Sequence, residues 1–109
     1  MTTGNDARRN STGVLTAAAV DLGATSGRVL VGRVGTAELS VREVARFANE
    51  PVRDRAGVLR WDLDALWGEI GKGVRTAVVE HGATSVAVDS WAVDYGLVRD
   101  GRLLTAPAS

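Results

Sequence analysis

Two short polar stretches carry most of the side chains in this sequence that could do chemistry. The first, residues 21–28, places two glycines and two hydroxyls between a carboxylate, Asp21, and a guanidinium, Arg28. Glycine allows a ligand to approach the backbone, and successive N–H groups of a turn can bind an anion. Asp21 could hold a hydrated divalent cation, because Mg²⁺ is usually bound through one or two carboxylates. The stretch therefore has the components of a nucleotide phosphate site.

The same residue types also occur in ordinary turns, so both interpretations stay open. The spacing excludes two familiar phosphate loops. It lacks the Gly-x-x-x-x-Gly-Lys-Ser/Thr pattern of the P-loop, and it lacks a Gly-x-Gly-x-x-Gly that opens a helix.

The second stretch, residues 89–96, contains two carboxylates, a hydroxyl, an indole and a phenol. It follows an apolar segment that reads as a buried strand, and ligands often bind where such strands end. An aromatic plane beside hydrogen-bond acceptors also suits a sugar. In the alternative interpretation, Trp91 belongs to the core and Asp94 caps a turn.

Composition indicates one small globular domain of 109 residues. Thirteen basic and 13 acidic residues balance to zero net charge, which argues against nucleic acid as a partner. There is no cysteine and only one histidine, His81, so Cys or His metal clusters are excluded. No apolar run is long enough for a membrane span. We interpret residues 1–13 as a disordered polar lead and expect a cytoplasmic protein.

Periodicity predicts three strands joined by short turns, at 14–21, 28–34 and 39–47, with a bulge near Val44 and Ala45. A charged loop at 48–57 precedes a helix over 63–81, with Asp62 as N-cap and Gly82 after its end. Gly71 and Gly73 could allow that helix to pack closely on the sheet.

The helix should present one apolar face, made of the residues at helical spacing. These are Leu63, Leu66, Trp67, Ile70, Val74, Ala77 and Val78. A buried strand at 85–90 follows, then a strand at 95–98, a turn and a short return. The order β-β-β-α-β predicts an α/β fold with a mixed sheet.

Residues 20–28 resemble the first phosphate motif of the FGGY carbohydrate kinases, which belong to the actin-like, hexokinase-like ATPase superfamily. Residues 60–67 and 88–97 resemble the branch of that family that phosphorylates L-rhamnulose. The second resemblance is the more selective, and the resemblance as a whole extends over nearly all of residues 14–104. The family implies a ribonuclease-H-like β-β-β-α-β sheet, in which residues 14–109 form a truncated N-terminal domain.

The resemblance implies ATP-dependent phosphorylation of L-rhamnulose at its terminal hydroxyl, with ATP and Mg²⁺ as cofactors. By that analogy Asp21 helps to hold Mg²⁺. The ATP phosphates would be bound by Ala24, Thr25, Ser26, Gly27 and Arg28. The sugar would be contacted by Trp91, Ala92 and Asp94, with a backbone contact at Ala92.

Family members are several times longer, and the resemblance implies that their catalytic aspartate and adenine pocket lie beyond Ser109. We therefore expect the chain alone to be inactive, with no catalytic residue of its own. Two alternatives remain. The chain could come from another FGGY pentulose or hexulose kinase, such as a fuculokinase or xylulokinase, or it could be a non-catalytic module that binds a sugar or a partner.

Overall fold

The computed structural model describes residues 13–109, so the predicted lead lies outside the described residues except for Gly13. The elements in chain order are β1 (Leu15–Leu22), β2 (Ser26–Val34), β3 (Leu39–Ala48), β4 (Val52–Arg53), β5 (Leu59–Arg60), α1 (Leu63–His81), β6 (Ser85–Ser90), β7 (Val98–Arg99) and β8 (Arg102–Leu103). None of the described helices is long and apolar enough to cross a membrane.

The main sheet has the strand order β3-β2-β1-β6. Strands β1, β2 and β3 form an antiparallel meander, and β6 pairs with β1 in parallel. Two parallel strands need a crossover connection, which α1 supplies. The predicted mixed α/β sheet of order β-β-β-α-β is confirmed. The sheet agrees with the N-terminal part of an actin-like ATPase domain.

The predicted bulge is also present. In the β2–β3 register Val29 lies opposite Ala45, whereas Leu30 lies opposite Glu43, so that Val44 is the extra residue.

The predicted loop at 48–57 contains the two-residue strand β4, which pairs with β5. Strand pairs this short carry no periodicity from which they could have been predicted.

The core lies between α1 and one face of the sheet. Alternate residues of β1 and β2 point to this face, among them Val20 and Val29, the largest fully buried side chains. A Cβ added to Gly73 would lie 2.4 Å from Cγ2 of Val29, so the helix backbone sits directly on the sheet. The predicted close packing is thus confirmed at Gly73, whereas a Cβ at Gly71 would meet open space.

Helix α1 has the predicted ends. The Asp62 side chain accepts a hydrogen bond from the Ala65 N–H at 3.1 Å, and Gly82 adopts a left-handed conformation with φ of 73°. The predicted apolar face is only partly right. Its members Leu66, Ile70, Val74 and Ala77 pack in the core, but Trp67 is 75% exposed.

The prediction that residues 85–90 form a buried strand is wrong. Strand β6 is at the edge of the sheet and most of its residues are exposed, including Val88 at 59%. The reason is geometric: α1 packs on β1, β2 and β3 and does not cover β6. The predicted strand at 95–98 is shifted, since β7 begins only at Val98 and pairs with β8.

Candidate functional site

Residues 23–26 form the β1–β2 turn, and the predicted phosphate-binding segment 24–28 runs from this turn into β2. Leu22 and Gly27 are the last paired residues of the hairpin, and the Gly23 N–H donates to the Ser26 carbonyl at 2.9 Å. Ala24 and Thr25 are exposed at the tip. The turn therefore presents backbone and hydroxyl groups outward from a fixed hairpin.

Asn49, at the end of β3, holds this turn from outside. Its side-chain Nδ2 donates to the Gly23 carbonyl at 2.8 Å, and its backbone N–H donates to the Thr25 carbonyl at 3.0 Å. Asn49 is only 6% exposed, which is unusual for an asparagine. Sequence reasoning missed it, because these partners lie more than twenty positions away and leave no local pattern.

Gly27 has a packing role. A Cβ at this position would lie 2.4 Å from Cε2 of Phe47, so the aromatic ring of β3 covers the glycine directly. Gly27 itself is buried. The structure thus explains this glycine without a ligand, and its proposed phosphate contact would have to come from the backbone.

A row of three charged residues crosses the sheet beside the turn. Asp21 is paired across β1 and β2 with Arg28, and across β1 and β6 with Asp89. The Arg28 Nε lies 3.2 Å from Oδ2 of Asp21, yet this buried N–H makes no hydrogen bond of good geometry. Strand alternation puts the row on the sheet face opposite the α1 core.

Two members of the row, Asp21 and Asp89, are carboxylates, the ligand type that a hydrated divalent cation takes. The Asp21 side chain is 46% exposed and lies one strand from a second carboxylate. Within residues 13–109 no group of three or more His, Cys, Asp or Glu side chains is arranged to hold a metal. A cation here would therefore take its remaining ligands from water and from a phosphate, as Mg²⁺ commonly does.

The second predicted stretch forms a loop that meets the first. We call residues 91–97 the sugar loop, because the family resemblance implies sugar contacts there. The Trp91 N–H donates to the Leu22 carbonyl at 3.2 Å, one residue before the β1–β2 turn. Because β1 and β6 are parallel and in register, both predicted sites lie at the same end of the sheet.

Within this loop, Asp94 is bound by two tryptophans. Its Oδ2 accepts hydrogen bonds from Nε1 of Trp61 at 2.8 Å and from Nε1 of Trp91 at 2.6 Å. The centroids of the two indole rings are 4.6 Å apart, and the ring planes are tilted by 46° relative to each other. Trp91 also packs against the core, as the alternative interpretation expected. Trp61 was quoted in the family resemblance but was not predicted to belong to the site.

The two residues between Trp91 and Asp94 are exposed. Val93 has a φ of 78° and is 93% exposed, a strained backbone conformation for a β-branched residue. Ala92 precedes it. A cavity of about 200 Å³ adjoins the loop and is lined by, among others, Asp94, Tyr95 and Arg60. The cavity combines apolar with polar lining and is smaller than most small-molecule sites, so it could enclose only part of a ligand.

Comparison with known proteins finds similar sequences that share one name, rhamnulokinase. The chain is 42% identical over 83 residues to the rhamnulokinase of Bacillus subtilis, which covers 73% of the chain and 16% of that protein. It is 42% identical over 94 residues to the rhamnulokinase of Ligilactobacillus salivarius and 43% over 95 residues to that of Lactiplantibacillus plantarum. Each of these two matches covers 84% of the chain and 19% of the relative. No family model matches the chain.

The fold, together with the β1–β2 turn and the sugar loop at one end of its sheet, defines the N-terminal part of an actin-like ATPase domain. The relatives make this more specific, since the chain is homologous to the N-terminal part of the rhamnulokinases. The predicted resemblance is confirmed. The chain spans less than a fifth of the length of the curated relatives that it matches.

Proposed function

We propose that this chain supplies the phosphate-binding turn and part of the sugar site of an L-rhamnulose kinase. The reaction would transfer a phosphoryl group from ATP to the terminal hydroxyl of L-rhamnulose, giving L-rhamnulose 1-phosphate. The observation that carries the proposal is the hydrogen bond from Trp91 to Leu22, which joins the turn and the sugar loop at one end of the sheet. Phosphoryl transfer depends chiefly on positioning and electrostatic stabilisation, which such a junction serves.

On the nucleotide side, the proposed contacts to the ATP phosphates are the backbone and hydroxyl groups of the β1–β2 turn together with the Arg28 guanidinium. These residues are Ala24, Thr25, Ser26, Gly27 and Arg28. Asp21 would hold Mg²⁺, whose charge would neutralise the transferring phosphoryl group. The exposure of Asp21 and its neighbour Asp89 support this assignment.

On the sugar side, we assign Trp91, Ala92 and Asp94 to substrate binding. Ala92 would contribute its backbone, and Trp91 an apolar surface. Asp94 has committed Oδ2 to the two indoles, whereas its Oδ1 accepts no hydrogen bond from the described residues and is available to a sugar hydroxyl. This division lets one carboxylate both hold the loop and bind a ligand.

The family resemblance assigns the general base for the sugar hydroxyl to none of the described residues, and the two nearby carboxylates already accept hydrogen bonds. Asp94 is engaged by two indoles, and Oδ1 of Asp89 accepts from the Ser90 N–H at 3.0 Å. We therefore expect the purified 109-residue chain to release no ADP above a mock preparation when given ATP, Mg²⁺ and L-rhamnulose. Sugar-dependent ADP release would contradict this expectation and make Asp89 and Asp94 the first residues to mutate.

A chimera tests the proposed function directly. This chain would replace the matching segment of the Bacillus subtilis rhamnulokinase, and kinase activity would be measured on L-rhamnulose, L-fuculose and D-xylulose. We expect activity on L-rhamnulose above the other two. A folded chimera that prefers another ketose would favour a different FGGY kinase, and one that binds sugar without turnover would favour the non-catalytic module.

The same chimera tests Asp21. Asp21→Asn should lower kcat by about 100-fold or more while leaving sugar binding nearly intact, since Mg²⁺ stabilises the transferring phosphoryl group and not the bound sugar. Wild-type turnover in the Asp21→Asn chimera across a range of Mg²⁺ concentrations would refute the metal assignment.

A further inference from the structure

We propose that Trp61 is a positioning residue that fixes the sugar loop through Asp94. Trp61 lies outside the loop, directly before α1, and no sugar contact is assigned to it. Its role would be to hold Oδ2 of Asp94, so that Oδ1 and the Ala92 backbone face the sugar in a constant arrangement. The inference rests on the proposed sugar site and adds the residue that determines its shape.

The first argument is how firmly Trp61 is held. It is 5% exposed, and its backbone N–H donates to the Pro107 carbonyl at 3.0 Å. The next residue, Asp62, caps α1. The Trp61 indole N–H is thus a donor held in a fixed position. Its 2.8 Å hydrogen bond to Asp94 attaches the loop, 33 positions further along the chain, to that position.

The second argument is the strain in the loop. Val93 has a positive φ, which is unfavourable for a β-branched residue and persists only where the surroundings impose it. Val93 is almost fully exposed, so its own packing cannot impose it. The hydrogen bond between Trp91 and Asp94 closes the short segment around Val93, and the bond from Trp61 fixes that segment to the body of the domain.

Loss of the Trp61 N–H would leave Asp94 with its local bond to Trp91 alone. The loop would then open more often, and a sugar would have to order it on binding. Ordering on binding lowers affinity without removing any direct contact. This outcome separates a positioning residue from a contact residue.

Hydrogen exchange followed by mass spectrometry tests the inference on the 109-residue chain at low micromolar concentration. Trp61→Phe keeps an aromatic ring and removes the N–H donor, and Trp67→Phe is the matched control because Trp67 is exposed. In Trp61→Phe, peptides covering residues 91–97 should exchange about tenfold faster, as expected for one lost hydrogen bond to a charged group. Peptides of α1 should not change, and the control should match wild type.

A double variant tests whether Trp61 acts through Asp94. If it does, adding Trp61→Phe to Asp94→Ala should not accelerate loop exchange beyond Asp94→Ala alone. Unchanged loop exchange in Trp61→Phe, or equal acceleration throughout the chain, would overturn the inference. If Trp61→Phe fails to fold, Asp94→Ala alone replaces it, because it removes the acceptor that both indoles share. Wild-type loop exchange in that variant would also overturn the inference.

Adding L-rhamnulose to the Bacillus subtilis chimera, in which the wild-type form carries this chain unchanged, distinguishes the inference from the proposed function. Wild type should show slower exchange in residues 91–97, and Trp61→Phe should need about fivefold more sugar for half of that effect. If wild type responds and Trp61→Phe responds at the same concentration, the inference fails and the sugar site stands. If wild type does not respond, the proposed sugar site fails, and the positioning of the loop is decided by the exchange rates without sugar.

Discussion

Asn49 shows how a single side chain can determine the shape of a candidate ligand site. Its amide and its backbone N–H hold both arms of the β1–β2 turn. The residue types of the turn and its position between two strands could be read directly from the sequence, whereas the pairing of Asp21 with Arg28 was not predicted. Asn49 and Trp61 could not, because they act over 26 and 33 positions and belong to no periodic or capping pattern.

We predict that Asn49→Ala lowers the free energy of unfolding by about 1–3 kcal/mol, because it removes a buried hydrogen bond and leaves the Gly23 carbonyl without its side-chain partner. Urea unfolding measures this value. Ser40→Ala, at an exposed position of the same strand, is the control and should change it by less than about 0.5 kcal/mol. Equal effects of the two variants would mean that the turn does not depend on Asn49.

At the scale of elements, α1 was predicted best because its ends carry local signals. Asp62 and Gly82 cap the two ends of the helix through hydrogen bonds to residues close in sequence. Both ends could therefore be predicted without knowing the tertiary structure. Burial was predicted less well. The apolar run of β6 is typical of a strand covered on both faces, but coverage depends on where α1 crosses the sheet, which the sequence pattern does not specify.

Two glycines of α1 provide a matched pair of substitutions. Gly71→Ala should raise the free energy of unfolding by about 0.5–1 kcal/mol, since Ala is the better helix former and the site is open. Gly73→Ala should lower it by about 1–3 kcal/mol, because the new methyl group overlaps the buried Val29. Thermal or urea unfolding of both variants checks the opposite signs. A stabilised Gly73→Ala would show that α1 does not pack on β2 as described.

The connection between β4 and β5 should make stability depend on pH. A hydrogen bond from Arg60, at 2.7 Å, and one from the Val58 N–H hold the pKa of Asp54 below its usual value. The folded chain therefore binds this proton at lower pH than the unfolded chain. The resulting stabilisation is present above the ordinary aspartate pKa of 3.8 and is lost as pH falls through the lower folded value.

Urea midpoints measured between neutral pH and about pH 2.5 test this in wild type and Asp54→Asn. We expect the wild-type midpoint to fall more steeply below the usual aspartate range than that of the variant. Asp100→Asn is the control, because Asp100 is exposed and its carboxylate accepts no hydrogen bond and forms no ion pair among residues 13–109. Parallel curves for wild type and Asp54→Asn would contradict the assignment.

At the scale of the whole molecule, the dominant feature is the open edge of the main sheet. Val86 and Val88 are exposed on β6, on the face that α1 covers elsewhere. An unpaired strand with exposed apolar side chains is a template for association. Among the described residues, the β6 edge of the main sheet is therefore exposed and unpaired on its outer side.

We predict that the 109-residue chain self-associates as its concentration rises and that Val88→Lys reduces this association, because a charge on an edge strand opposes edge-to-edge pairing. Val79→Lys, on an exposed position of α1, is the control for the added charge. Sedimentation or light scattering over a concentration series measures the effect. If both variants reduce self-association equally, the cause would be the added net charge and not the β6 edge.

The hydrogen bond from Trp91 to Leu22 has a consequence for which insertions and deletions the sequence can tolerate. It sets the separation of the two loops by strand register, and not by the length of chain that connects them. Insertions in surface connections, such as the one between β2 and β3, leave that separation unchanged. A single deletion that slips β6 by one residue would instead replace Asp89 beside Asp21 with a neighbour and turn its side chain to the opposite face. Length changes should therefore be tolerated in the connections and excluded from β1 and β6.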